Sequence, residues 1–191
     1  EVAANDGYLL QYVKEMDIPC YGIEPTHGTA QAARKKGIEI LEIFFGEQQA
    51  LELLNQGRQA DLIVANNVLA HVPDINDFVK GFSILLKPNG VATFEFPYLL
   101  NLIEKNQFDT IYHEHYSYFS LTVVKSIFES NGLHVFDVEL LKTHGGSLRV
   151  YAEQSNSVEK NSDNQLVMEL LNNELSFGYL TKKAYLSLIE N

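Results

Sequence analysis

Apolar and polar positions alternate along the chain in two rhythms, one helical and one extended. Residues 2–4 close a short apolar run, and the polar Asn5-Asp6 and Gly7 interrupt it. Residues 8–16 then carry Leu9, Leu10, Val13 and Met16 at mostly three- and four-residue spacing, which predicts a helix. Residues 21–23 read as a short strand ending at Glu24-Pro25. The alanine-rich segment 26–36 reads as a helix that stops at Gly37. Residues 38–45 predict a strand, 48–56 a helix, and the continuous apolar run 61–65 a buried strand followed by Asn66 and Asn67. A helix over 74–86 leads into a turn at 87–90, with Gly90 suited to a positive φ. Residues 91–96 form the next strand, 123–131 a helix stopped by Gly132, 134–141 a strand, and 146–152 the last strand.

Strands therefore alternate with helices through most of the chain. That order predicts an α/β domain with a doubly wound, mainly parallel sheet and helices on both faces. No helix separates the last two strands, so they are expected to pair antiparallel at one edge. Residues 1–154 make up this domain, and the polar stretch 155–165 reads as a linker. Leucines and aromatics over 166–190 are spaced for one or two helices, the helical start of a further region. The pattern is still running at residue 191, and the chain begins inside a motif without Met, so it reads as a piece of something longer.

Composition narrows the function classes. Of 191 residues, 46% are hydrophobic and 20% charged, enough for one proper core. The net charge of −11 disfavours nucleic acid or anionic lipid, which need a basic face. No run approaches the about 20 apolar residues that span a membrane. Cys20 is the only cysteine, which excludes an intrachain disulfide and a CxxC metal clip and suits a reducing, cytoplasmic setting. It reads as a small apolar residue.

Candidate chemistry gathers where the strands end, the usual ligand edge of an open α/β sheet. Asn5, Asp6 and Gly7 turn from the first strand into a helix whose N–H groups can face a ligand. A full GxGxxG fingerprint is absent, with Ala3 and Asn5 where glycines would stand, and this counts against a nicotinamide dinucleotide. Glu24 at the end of the second strand can accept both ribose hydroxyls of an adenosine or a nicotinamide cofactor; otherwise it is a solvated Glu before Pro. Asn66 and Asn67 either meet the cofactor or form a simple Asx turn.

The densest cluster is Tyr112-His113-Glu114-His115-Tyr116. Its His-x-His spacing does not match a zinc helix and lacks further ligands, so no metal is expected in this chain. A neutral histidine can serve as a general base, and a nearby tyrosine can stabilise an oxygen that gains charge. His144-Gly145-Gly146 precedes the last strand and reads as a substrate-side turn. His71 follows a cleft wall, and Arg149 within a strand either faces solvent or pairs with a carboxylate.

These residues resemble a known family. Residues 1–7 look like the first motif of the S-adenosylmethionine-dependent methyltransferases, Glu24 stands at their ribose position, and 61–72 and 86–90 resemble their fourth-strand motif and the turn before the fifth strand. More specifically, residues 111–120 with 144–151 are similar to bacterial C-methyltransferases that methylate nucleotide-linked 4-keto deoxysugars at C-3. The resemblance covers roughly residues 1 to 155. It implies a seven-stranded class I methyltransferase (Rossmann-like) sheet with an antiparallel last strand. It also implies S-adenosylmethionine as cofactor, S-adenosylhomocysteine as product, and a sugar nucleotide as small-molecule partner. Asn5, Asp6, Gly7, Glu24, Asn66 and Asn67 then hold the cofactor, His115 is the base, Tyr112, His113 and Glu114 share its site, and His144, Gly145 and Gly146 line the substrate. Members carry an amino-terminal zinc-binding domain and a carboxyl-terminal α/β domain; neither is complete here, so zinc would belong to the former. Nothing in the pattern fixes an oligomeric state. The competing classes are an O- or N-methyltransferase on a small metabolite, a nicotinamide oxidoreductase, and a noncatalytic nucleotide-binding domain.

Overall fold

A computed structural model describes residues 1–157, 161–178, 181–182 and 185–186. The described residues form six strands in two sheets. β1 (Gly22–Ile23) and β2 (Ile40–Leu41) pair in parallel. The larger sheet uses β3 (Ala60–Asn66), β4 (Leu86–Pro97), β5 (Leu133–Leu141) and β6 (Ser147–Gln154), in the order β3-β4-β6-β5. β3 runs parallel to β4, whereas β6 is antiparallel to both β4 and β5. Around them lie α1 (Tyr8–Glu15), α2 (His27–Lys35), α3 (Glu47–Asn55), α4 (Ile75–Leu85), α5 (Leu99–Glu104), α6 (Leu121–Ser130) and α7 (Gln165–Phe177).

Seven strands are expected from the resemblance, and six form. Residues 1–4 contribute a single bridge, Val2 to Ile23, in place of a strand. The Val2 N–H also donates to the Val64 carbonyl at 2.8 Å, so this residue is hydrogen-bonded to both sheets. At Ala3 the backbone turns left-handed (φ 59°), which ends the extended run. The expected strand over 38–45 shrinks to two residues, because the chain then turns to insert Phe45 edge-on against Phe78 and Phe82. The last two strands do pair antiparallel, but β6 lies inside the sheet and β5 takes its edge. α5 is absent from the sequence reading; it is only six residues long and lies between two aromatic-rich loops.

Packing on one face of the larger sheet is aromatic. Phe82 of α4 lies 4.5 Å from Phe94 of β4 between ring centroids, and Phe94 lies 4.6 Å from Phe128 of α6. All three are fully buried, so one strand residue fastens two helices to the sheet. α4 starts where Asp74 accepts the Asp77 N–H, and α6 where Ser120 accepts the Val123 N–H. α7 adds Val167 and Leu170 to the same core. The helix expected over 166–190 ends at Phe177 in the structure, and its remainder lies largely outside the described residues, as do 158–160 of the expected linker.

The turn at 87–90 reverses an expectation. Asn89, not Gly90, takes the positive φ (63°). Gly90 is needed for space: an added Cβ would sit 3.0 Å from the Lys87 carbonyl oxygen and 3.1 Å from those of Ala60 and Asp61. Gly90→Ala is therefore expected to destabilise the fold by about 1–3 kcal/mol, whereas Asn89→Gly changes it by less than about 1 kcal/mol. Urea unfolding of the two variants checks the ranking.

Candidate active site

Three groups of residues meet at the carboxyl ends of β1, β3 and β4. The first is the loop after Val2. Ala3, Asn5 and Gly7 have φ of 59°, 54° and 74°, so alternate residues adopt the left-handed conformation that glycines usually supply. The missing glycines thus did not change the backbone; Ala3 and Asn5 hold the shape at a strain of roughly 1 kcal/mol each. Gly7 is required for another reason besides φ, since its Cβ would lie 2.4 Å from Ile38 Cδ1 and 3.1 Å from Ala33 Cβ. Its bare face therefore packs helix α2 closely and is not turned to a ligand.

Glu24, directly after β1, is 6% exposed. Its Oε2 accepts the Asn5 N–H at 3.0 Å and its Oε1 accepts the Thr26 N–H at 2.9 Å. The carboxylate is thereby fixed against the loop, with lone pairs left on both oxygens for hydroxyl donors. Asp6 is arranged differently. Its side chain pairs with Lys36 at 2.8 Å, which holds its carboxyl below the usual range, so it braces the loop from outside.

At the end of β3, the Asn67 N–H donates to the Glu95 carbonyl at 2.7 Å and Asn67 takes a φ of 52°. The Oδ1 atoms of Asn66 and Asn67 are buried and have no hydrogen-bond partner among the described residues. Leaving such atoms unmet costs about 1–3 kcal/mol each, so two acceptors are held ready for a donor.

The second group surrounds His115. Its Nδ1 lies 3.0 Å from the Thr110 carbonyl, which can only accept, so the neutral ring carries its hydrogen on Nδ1 and leaves Nε2 with a free lone pair. Tyr112 packs on the ring at 4.4 Å, His71 at 4.8 Å and Tyr118 at 5.8 Å between centroids. Burial, and then the neighbouring His71, push the His115 pKa below its ordinary value; the Thr110 bond and Glu114 oppose this. Glu114 and His113 are exposed, and His113 touches Tyr112 rather than His115. The ring is oriented by Thr110, while Glu114 acts only through its charge. The loop itself is pinned where the Tyr116 N–H donates to the Ala70 carbonyl at 2.8 Å. His71 reaches the site because the chain after Asn67 makes a short 3₁₀ turn over Leu69–His71. Sequence reading noted His71 without assigning it; its place five residues past a strand end was the available signal.

The third group is the turn before β6. His144 adopts a left-handed backbone (φ 50°), and its Nε2 lies 3.4 Å from Asn67 Nδ2. The Gly145 carbonyl accepts from Gln107 Nε2 at 2.8 Å and Lys105 Nζ at 3.1 Å, and the Gly146 carbonyl from Asn101 Nδ2 at 3.3 Å. A Cβ on either glycine would come within 2.4 Å of Gln107 or Asn101. Their bareness thus serves the clamp behind the turn, and His144 is the member that faces Asn67. Beside it, buried Glu95 accepts from Thr143 Oγ1 and Arg149 Nη2, both at 2.8 Å, and Arg149 also pairs with Glu139 at 3.2 Å. Arg149 is therefore a paired residue, and Glu95 with Thr143 was missed because both read as ordinary strand and loop positions. Among the described residues, no group of three His, Cys, Asp or Glu side chains converges to hold a metal ion. Nor is any described helix long and apolar enough to cross a membrane.

Comparison with known proteins points one way. Residues 1–138 match a family model described as a methyltransferase domain. The chain is 38% identical over 152 residues to the C-methyltransferase NovU of Streptomyces niveus, covering 80% of this chain and 36% of that protein. It is 24% identical over 92 residues to a ubiquinone biosynthesis O-methyltransferase of Azorhizobium caulinodans, covering 48% of this chain and 36% of that protein. The chain thus spans about a third of the length of each of these relatives. Among solved structures, the magnesium protoporphyrin IX methyltransferase of Synechocystis with bound S-adenosylhomocysteine superposes with a TM-score of 0.62 at 14% identity, covering 81% of this chain and 72% of that one. An S-adenosylmethionine-dependent methyltransferase of Clostridium acetobutylicum gives 0.61 at 12% identity, covering 81% and 82%. At such identities the likeness establishes the fold: class I, Rossmann-like, with a mixed sheet.

The His115 environment makes a measurable prediction. Its ring is expected to titrate below the ordinary value of about 6.5 and to show the Nδ1–H tautomer when neutral. Because the folded pKa is lowered, His115 adds nothing to the pH dependence of stability well above 6.5. As pH falls below that value the unfolded chain takes up the proton first, and stability drops. Ring-nitrogen NMR across pH 5 to 8 checks both the tautomer and the midpoint.

Proposed function

The chain belongs to the methyltransferase-domain family, and on that premise we propose that it transfers a methyl group from S-adenosylmethionine to C-3 of a nucleotide-linked 4-keto deoxysugar, with His115 as general base. The observation that carries this reading is the His115 ring, fixed through Nδ1 with a free Nε2 in a partly buried aromatic setting. A base aimed in this way suits removal of a proton from carbon next to a carbonyl. NovU, named a C-methyltransferase, supports a carbon acceptor.

The cofactor fits the residues present. Glu24, held by the Asn5 and Thr26 N–H groups, is set to receive the two ribose hydroxyls, and the orphaned Asn66 and Asn67 oxygens are set to receive further donors. Asn5 and Gly7 contribute backbone shape, and Asp6 holds that shape through Lys36. When bound, S-adenosylmethionine supplies an electrophilic methyl group and leaves as S-adenosylhomocysteine.

The remaining work falls to the His115 loop and the walls around it. His115 Nε2 takes the proton from C-3 of the sugar, and charge moves to the ketone oxygen. Tyr112, packed on the His115 ring, is the better placed of the loop's side chains to donate to that oxygen, since His113 is one ring further out. His71 and burial disfavour the imidazolium, so His115 is neutral and ready at neutral pH. His144, held opposite by the clamp on Gly145 and Gly146, forms the sugar-side wall.

Exchange of the C-3 proton tests the assignment. In deuterated buffer containing S-adenosylhomocysteine, the protein is expected to wash deuterium into C-3 of a nucleoside-diphosphate 4-keto-6-deoxysugar. His115→Asn is expected to slow this by about 100-fold or more. Undiminished exchange in the variant rejects His115 as base. No exchange in the unsubstituted protein favours an oxygen or nitrogen acceptor.

A further inference from the structure

The segment that carries His115 begins after β4 and ends at α6, and both of its ends are held by one carboxylate from far along the chain. Glu174 of α7 is 2% exposed. Its Oε1 accepts from Tyr98 Oη at 2.8 Å and from the Leu121 N–H at 2.6 Å. Its Oε2 accepts from the Thr122 N–H at 2.8 Å and from Thr122 Oγ1 at 2.5 Å. Tyr98 opens the segment directly after β4, and Leu121 and Thr122 close it as the first turn of α6. A parallel bridge between Tyr98 and Phe119, with the Leu99 N–H donating to the Phe119 carbonyl at 2.9 Å, draws the same two ends together. Next to Phe119 is Tyr118, whose ring lies against His115.

Between these ends the segment has little regular structure of its own. It contains the short helix α5 and a 3₁₀ turn over Phe108–Thr110, and the stretch bearing Tyr112 to Tyr118 forms no helix or strand. The geometry of such a loop depends on how its ends are fixed. A buried carboxylate at the N-terminus of α6 is also favoured by the helix dipole, and four donors satisfy it in full.

We propose that Glu174 is a positioning residue that closes the His115 loop at its base, so that helix α7 sets the placement of the catalytic ring. The proposal rests on the reading of His115 as the base, but its test does not depend on turnover. Glu174→Gln keeps the shape and loses the match: in either orientation the amide turns an NH₂ group toward donors. With the loop base opened, His115 is expected to become more solvated and to lose its fixed contact with the Thr110 carbonyl.

Ring-nitrogen NMR of His115 in the Glu174→Gln protein reads this directly. The titration midpoint is expected to rise toward about 6.5 and the Nδ1–H signal to broaden through exchange with water. Glu153→Gln is the control. Glu153 is equally buried and holds Asn161 through its N–H and Nδ2, and it touches no residue of the loop. It is expected to lower Tm and leave the His115 signals in place. If both variants leave those signals in place, or both move them alike at matched loss of Tm, Glu174 is a stability element only and the proposal is overturned. Should Glu174→Gln fail to fold, Tyr98→Phe and Thr122→Val each remove one hydroxyl donor. Both must then shift His115 in the same direction, and silence in both overturns the proposal. A rejected His115 base in the exchange experiment leaves this result standing, so the two readings fail separately.

Discussion

β4 is parallel to β3 on one side and antiparallel to β6 on the other, and the site depends on that arrangement. Parallel pairing brings the carboxyl ends of β3 and β4 to the same edge, with Asn67 hydrogen-bonded to Glu95. Antiparallel pairing brings the start of β6 to that edge as well, where the Tyr98 N–H donates to the Gly146 carbonyl at 3.1 Å. Three loops far apart in sequence are thereby set side by side. The Phe82–Phe94–Phe128 contacts hold β4 against α4 and α6 and keep this register fixed. Side chains at the edge then need only short reaches: Thr143 and Arg149 to Glu95, Asn67 to His144, and Tyr116 to Ala70.

Strain is concentrated at the same edge. Ala3, Asn5, Asn67 and His144 all adopt positive φ although none is glycine, and each lies in a loop that faces the cleft. Backbone in such conformations persists only where neighbours fix it. Here the neighbours are identifiable. Glu24 holds Asn5, Glu95 holds Asn67, and the Thr143 contact with Glu95 and the clamp on Gly145 hold His144. Two of these supports are buried carboxylates. Glu174 follows the same pattern at the base of the His115 loop.

Much of this was legible in the sequence. The order of strands and helices followed from periodicity, and the Tyr112 to Tyr116 cluster stood out because two histidines, a carboxylate and two tyrosines are dense chemistry for one loop. Strand lengths were less legible, since pairing partners decide them: residues 38–45 have strand character, yet Phe45 is drawn into the aromatic core instead. The roles of glycines were partly misread for a similar reason. Gly7, Gly90, Gly145 and Gly146 are bare because protein atoms approach them, and sequence alone does not show what approaches. Glu174 was invisible, because a glutamate on an amphipathic helix reads as solvated until its donors, some 50 residues upstream, are placed beside it.

Charge and burial together explain why His115 suits base chemistry. The Thr110 carbonyl fixes the tautomer, His71 and burial keep the ring neutral, and Tyr112 covers one side of it. All of this serves methyl transfer only if the adjoining loop takes the matching cofactor. Calorimetric titration of the chain with S-adenosylhomocysteine, with NAD as the control, tests that directly. Micromolar binding of S-adenosylhomocysteine that is lost in Glu24→Ala, with no heat from NAD, is the predicted result. Binding of NAD in preference to S-adenosylhomocysteine, or binding of S-adenosylhomocysteine undiminished by Glu24→Ala, contradicts the account of the cofactor site.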